Sequence, residues 1–131
     1  MLQHGIINPD ILSLLARVRH TNALVIADRG FPYWPMIETI DISLVDGIPT
    51  VAQVLAALRG NFDVVEAYMA EEFRLENSTS TQQRFADALA VPITFEPHLD
   101  LKKRVPEAIG LIRTGDTTQY ANIVLVSGRP E

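Results

Sequence analysis

Ala23-Leu24-Val25-Ile26-Ala27, followed by Asp28-Arg29-Gly30, is the stretch on which the fold turns. A short unbroken apolar run rich in branched side chains and closed by a polar, glycine-containing step reads as a buried strand that ends in a loop. Asp28 therefore falls at a strand's carboxyl end, where open α/β sheets place groups that touch ligands.

Working upstream, Asn8 is placed to cap a helix and Pro9 suits its first turn. Ile11, Leu12, Leu14, Leu15 and Val18 recur with helical spacing, which predicts an amphipathic helix over residues 9 to 19 with His20 at its C-terminal end. Downstream, Phe31-Pro32-Tyr33-Trp34-Pro35 combines three aromatics with two prolines. That composition resists helix and favours an ordered, extended loop, a candidate pocket wall beside Asp28.

Thr50 can cap a second helix over 51 to 58, which Gly60 is placed to end. Residues 62 to 70 predict a strand, 77 to 81 a polar connector, 82 to 90 a third helix and 92 to 95 another strand, with His98 just after it. A short helix over 99 to 104 must stop near Pro106. Two further strands are predicted over 108 to 112 and 121 to 126, joined by the turn-rich Arg113-Thr114-Gly115-Asp116-Thr117-Thr118. This alternation argues for an α/β fold, a single layered domain over 1 to 131 with a central, mostly parallel sheet flanked by helices.

At 131 residues and 47% hydrophobic composition the chain suits one compact domain with a sizeable core. Its net charge of -5, with Lys and Arg scattered, offers no positive stripe for a run of phosphates, which argues against nucleic acid as a partner. The absence of Cys removes disulfides, thiolate nucleophiles and thiolate metal sites. The start Met1-Leu2-Gln3-His4-Gly5 lacks a signal-peptide pattern, and no apolar run is long enough to span a bilayer as a helix, so a cytoplasmic setting is expected.

Imidazole exchanges protons near neutral pH, and His20 and His98 both fall at element ends. His20 could equally be a helix-ending histidine meeting the dipole, Asp28 a loop cap, and His98 an exposed loop residue. Tyr120 and Asn122 flank Ala121, and period-two geometry would put phenol and amide on one face. Their bland alternative is a turn-closing tyrosine with an asparagine satisfying nearby backbone. A metal site built from His4, His20, His98 and Asp28 finds no short, fixed ligand spacing, and His4 is better taken as a surface residue. There is no Gly-x-Ser-x-Gly elbow and no Gly-x-Gly-x-x-Gly after a strand.

Taken together, several stretches resemble the ribose pyranase and fucose mutarotase family over nearly the whole chain. They are His4-Gly5-Ile6-Ile7-Asn8, His20-Thr21-Asn22 leading into Leu24 to Asp28, Ile40-Asp41-Ile42-Ser43-Leu44 with Gly47-Ile48-Pro49, and Ile112-Arg113-Thr114-Gly115-Asp116 with Tyr120-Ala121-Asn122-Ile123. The resemblance implies a cofactor-free isomerase with a ribose-pyranase-like fold, with His20 as proton donor and with Asp28, His98, Tyr120, Ala121 and Asn122 binding a free monosaccharide. It also implies a ring-shaped homo-oligomer, commonly a decamer, with sugar sites at subunit contacts. The chain departs from the family at Arg19, where members usually carry Gly, and at Arg29 and Phe31. Phe31-Pro32 resembles the fucose branch, whereas His98 resembles the ribose branch.

Opening a cyclic sugar removes the anomeric hydroxyl proton while the ring oxygen gains one, so two positioned proton carriers suffice. The leading expectation is a mutarotase or pyranase acting on a sugar such as ribose or fucose. The alternatives are a non-catalytic sugar-binding or sensing protein and, less favoured, a metal-dependent enzyme.

Overall fold

A computed structural model describes residues 1 to 129. The run at residue 23 forms β1 (Ala23–Ala27), and its last four side chains are buried. Leu24 and Ile26 join the core on one face, Val25 and Ala27 the core on the other, as the pleat of a strand covered on both sides requires.

β1 pairs in parallel with β5 (Gly110–Arg113), which pairs in parallel with the edge strand β2 (Glu38–Asp41). On its other side β1 meets β6 (Ile123–Ser127) antiparallel, and β6 meets β3 (Val64–Ala70) antiparallel as well. β3 then pairs in parallel with β4 (Ile93–Glu96), giving the order β2-β5-β1-β6-β3-β4. Only β6 runs against the others. The carboxyl ends of β1, β3, β4 and β5 and the amino end of β6 therefore share one edge of the sheet, which is the expected mostly parallel arrangement.

One face carries α1 (Pro9–Arg17), α2 (Val51–Leu58) and α4 (Thr79–Leu89), which bury Leu14, Leu55 and Phe85 against Ile26, Ile112 and Leu125. Phe73 of the short α3 (Glu71–Glu76) joins that core. Gly110 lets α1 lie close, because a side chain there would meet the Leu14 methyls at 2.7 and 2.9 Å. The opposite face carries α5 (His98–Arg104) and a 3-10 turn (Val105–Glu107), with Leu101 and Val105 packed on Val25, Leu111 and Val124.

The caps behave as their chemistry predicts. Asn8 accepts from the amides of Asp10 and Ile11 at 3.0 Å, and Thr50 with Gln53 forms a reciprocal capping box. α1 ends earlier than its apolar spacing predicts: Val18 is extended, and its amide closes on Leu15. Two elements were not predicted, because β2 buries only Ile40 and α3 only Phe73, too little apolar pattern to register. Among the described residues no helix is long and apolar enough to cross a membrane.

Candidate active site

At the edge where the strand ends gather, a cavity of about 290 Å³ is lined by Asp28, Phe31, Pro32, His98, Tyr120 and Asn122, among others. Four of the six residues singled out from sequence meet there. Asp28 leaves β1, His98 opens α5 immediately after β4 and Pro97, and Tyr120 and Asn122 precede β6.

Period-two geometry is not what brings the last two together. β6 begins at Ile123, and Tyr120 has a left-handed backbone (φ 55°), so a turn rather than a pleat delivers both side chains. Ala121 is fully enclosed in the core between them, and its side chain does not line the cavity.

Asn122 is almost fully buried, and its Oδ1 accepts the Asp28 amide at 2.8 Å. The Asp28 carboxylate accepts the Gly30 amide at 3.0 Å. Burial pushes the Asp28 carboxyl above its usual value, against the opposing pull of the Gly30 and Phe31 amides and the Asn122 side chain. The loop beyond is fixed by Arg113 at the end of β5: its guanidinium donates to the carbonyls of Asp28, Arg29 and Pro32 at 3.2 to 3.3 Å.

The aromatic loop does form a wall. Phe31 is buried, with Trp34 behind it at 6.1 Å between ring centroids, whereas Tyr33 turns outward. The His98 ring stands edge-on to Phe31 at 6.1 Å and to Tyr120 at 5.2 Å. Burial, and then the Lys102 charge, lower the His98 pKa, while Glu72 and Asp28 act in the opposite sense. The net shift favours a neutral ring at pH 7.

His20 is not part of this cavity. It precedes β1, whereas Asp28 follows it, and five strand residues at about 3.3 Å each separate them by roughly 17 Å. His20 occupies a turn in which Arg19 accepts from the Asn22 amide, Asn22 Oδ1 accepts from the Arg19 amide, and Thr21 donates to the Ser127 carbonyl. It does not cap α1. Arg19 takes that place, donating to the carbonyls of Ala16 and Val18.

Thr21 is left-handed (φ 72°), uncommon for a β-branched residue. A second hollow of about 370 Å³ surrounds His20, Arg19, Asp63, Gly128 and Arg129. Gly128 makes room for the imidazole, since a Cβ there would lie 2.9 Å from His20 Nδ1. His4 is exposed, and no group of metal-ligating side chains occurs among the described residues.

Sequence reasoning gave no role to Arg113 or Glu72. The position of Arg113 at the end of an apolar strand run was the available signal. For Glu72, whose carboxylate meets the His98 amide, no local signal exists, because the partners are 26 residues apart.

A cavity of this size, walled by a carboxylate, an imidazole, a phenol, an amide and an aromatic face, offers hydrogen-bond donors and acceptors beside an apolar wall, the composition of a small-molecule site. Residues 1–130 match the RbsD / FucU transport protein family, and the chain belongs to it. The D-ribose pyranase of Halalkalibacterium halodurans is 38% identical over 128 residues, covering 98% of both chains. The Bacillus subtilis RbsD structure complexed with D-ribose superposes with a TM-score of 0.91 at 31% identity, covering 100% of both chains. A fucose mutarotase from Streptococcus pneumoniae, solved with L-fucose, shares the fold with a TM-score of 0.80 at 20% identity, covering 99% of this chain and 100% of that one.

Proposed function

We propose that the protein is a monosaccharide mutarotase or pyranase that interconverts ring forms of a free sugar, with D-ribose the first substrate to test. The observation that carries this is the convergence of Asp28, His98, Tyr120 and Asn122 on one cavity at the sheet's carboxyl edge. The Halalkalibacterium halodurans relative named D-ribose pyranase supports the choice of sugar.

In the reaction, the anomeric hydroxyl gives up its proton, a proton reaches the ring oxygen, and the bond between that oxygen and the anomeric carbon breaks. Reclosure through the same or another hydroxyl reverses these transfers. His20 supplies the ring-oxygen proton and solvent takes the anomeric one, the reverse transfers on reclosure restoring both, while Asp28, His98, Tyr120 and Asn122, with the Ala121 backbone, hold the hydroxyls. No cofactor enters.

Because His20 lies at the far edge of its own chain, it acts in the cavity of a second copy. Two unlike half-sites at opposite edges join head to tail, the kind of contact that closes into rings, and a decamer in the cytoplasm is the arrangement we favour. The whole chain acts as one such domain. Exposed Tyr33 and Leu99, next in sequence to the lining residues Pro32 and His98, supply apolar rim for the contact.

The separation of His20 from the cavity also motivates a second reading, a protein that binds a sugar without transforming it. Proton NMR saturation transfer between anomeric signals, over a panel including ribose and fucose, separates the two. Faster exchange supports the isomerase. Binding at an unchanged exchange rate supports the alternative, and neither effect with any sugar defeats both.

Asp28→Asn should divide stability from function. Since the folded-state pKa of Asp28 is raised, its ionised form opposes folding above its ordinary range, and stability from this group grows as pH falls through that window. Asn removes the buried charge and can still accept the Gly30 amide. The thermal midpoint at pH 7 should hold or rise, while sugar affinity falls by about tenfold or more. A fall in both would mean that the carboxylate serves structure first.

A further inference from the structure

We propose that Glu72 is the positioning residue for His98: its carboxylate fastens the first amide of α5, and its charge acts on the imidazole against that of Lys102, one turn along that helix. This rests on the reading of His98 as a sugar-binding group.

Both Glu72 carboxylate oxygens lie 3.1 Å from the His98 amide nitrogen. The first amides of a helix need an acceptor, which is ordinarily a Ser, Thr, Asp or Asn at the cap position. Here the cap residue is Pro97, which makes no side-chain bond, and the acceptor comes from α3 instead. A capping need alone would be met locally. What Glu72 adds is a negative charge at the first residue of α5, from a helix that starts at the carboxyl end of β3. Glu71 next to it is paired with Arg74, whereas no cation within salt-bridge distance meets Glu72 among the described residues. Its charge is left to act on His98.

The ring has little freedom to move, held edge-on between Phe31 and Tyr120. Its Nδ1 is enclosed without a hydrogen-bond partner among the described residues, which leaves Nε2 to reach the cavity. The charged groups acting on it are Glu72 from α3, Lys102 from its own helix and Asp28 from the end of β1; Glu72 and Asp28 favour the imidazolium, and Lys102 opposes it. Fixing the amide of His98 fixes its Cα, and hence the reach of Nε2. The balance of these three charges sets whether that nitrogen accepts or donates to a sugar hydroxyl.

The test is histidine side-chain NMR titration of the intact assembly without sugar, alongside D-ribose binding, for wild type, Glu72→Gln, Glu72→Ala and Lys102→Gln. Gln keeps an acceptor for the amide but removes the charge, so Glu72→Gln should lower the His98 pKa and Lys102→Gln should raise it. Glu72→Ala should lower it too and weaken D-ribose binding about tenfold, while Glu72→Gln stays within about threefold of wild type. A purely structural Glu72 would lower the melting temperature without moving the titration. Unmoved pKa values, shifts of the same sign in the Glu72 and Lys102 variants, or equal binding losses in both Glu72 variants would overturn the proposal. Because the titration is read without sugar, failure of wild type to accelerate exchange would defeat the isomerase reading and leave this result standing.

Discussion

Replacing His20 with Ala should slow ring interconversion by about a hundredfold to ten-thousandfold, the range that a positioned proton carrier contributes, with little change in sugar affinity or melting temperature. The side chain is exposed and makes no hydrogen bond among the described residues, so the fold does not depend on it. The cavity residues stand at the opposite edge and keep their own partners, so binding survives. Saturation-transfer rates and a binding isotherm on the same preparation decide the matter. If exchange persists at the wild-type rate, the proton comes from elsewhere, Asp28 being the next group to test.

A mixing experiment follows from the same geometry. His20→Ala and Asp28→Asn each spoil one half of the site, but at opposite ends of β1. If sites form between copies, unfolding and refolding the two variants together produces some junctions that pair an intact His20 with an intact Asp28, and activity returns in part. A site completed within one chain would never recover in this way.

The largest loss of stability should come from Gly115→Ala. A Cβ at this position would press on the Val45 carbonyl oxygen and lie 2.6 Å from that of Ile48, backbone atoms that cannot swing aside. The segment is pinned on both sides, with Gly115 donating to Pro49 at 2.9 Å and accepting from Gly47 at 2.6 Å. Overpacking against fixed backbone costs about 3 kcal/mol here. At roughly 4 °C per kcal/mol for a chain of this length, the thermal midpoint should drop by about 12 °C.

The neighbouring residue carries the effect towards the site. Asp116 accepts the first amide of α2, Val51, at 2.9 Å, and its carbonyl accepts the Arg29 amide beside Asp28. Sugar affinity should therefore fall as well. A midpoint within two or three degrees of wild type would mean that residues 45 to 48 yield, and that the contact is softer than its geometry implies.

What could be read from residue types alone was the set of strands buried on both faces and the groups that follow them. Leu24 to Ala27 announces its strand because every position is apolar, and Asp28 and His98 attract notice because each follows a predicted strand. Boundaries drifted where the apolar pattern outlasts the hydrogen bonds, as at Val18, or outruns them, as at Ala121. The edge strand with Ile40 and the helix with Phe73 bury one side chain each, and no periodicity can form from one residue.

The meeting of Asn122 with Asp28 was beyond local reading. It depends on β6 alone running backwards, which sends Asn122 to the carboxyl edge of β1 and Gly128, beside His20, to the other. Glu72 was invisible for the same reason, since only the finished sheet brings the ends of β3 and β4 side by side.

The left-handed Thr21 leaves the molecule with an unused reserve. A glycine would adopt that backbone conformation without steric cost, so the turn beside His20 is held about 1 kcal/mol short of what the chain could attain. Thermal hardening of this protein has an obvious starting point there. If His20 carries the proton as proposed, hardening at this residue is also where stability and turnover would compete, because the turn holds the imidazole one position away.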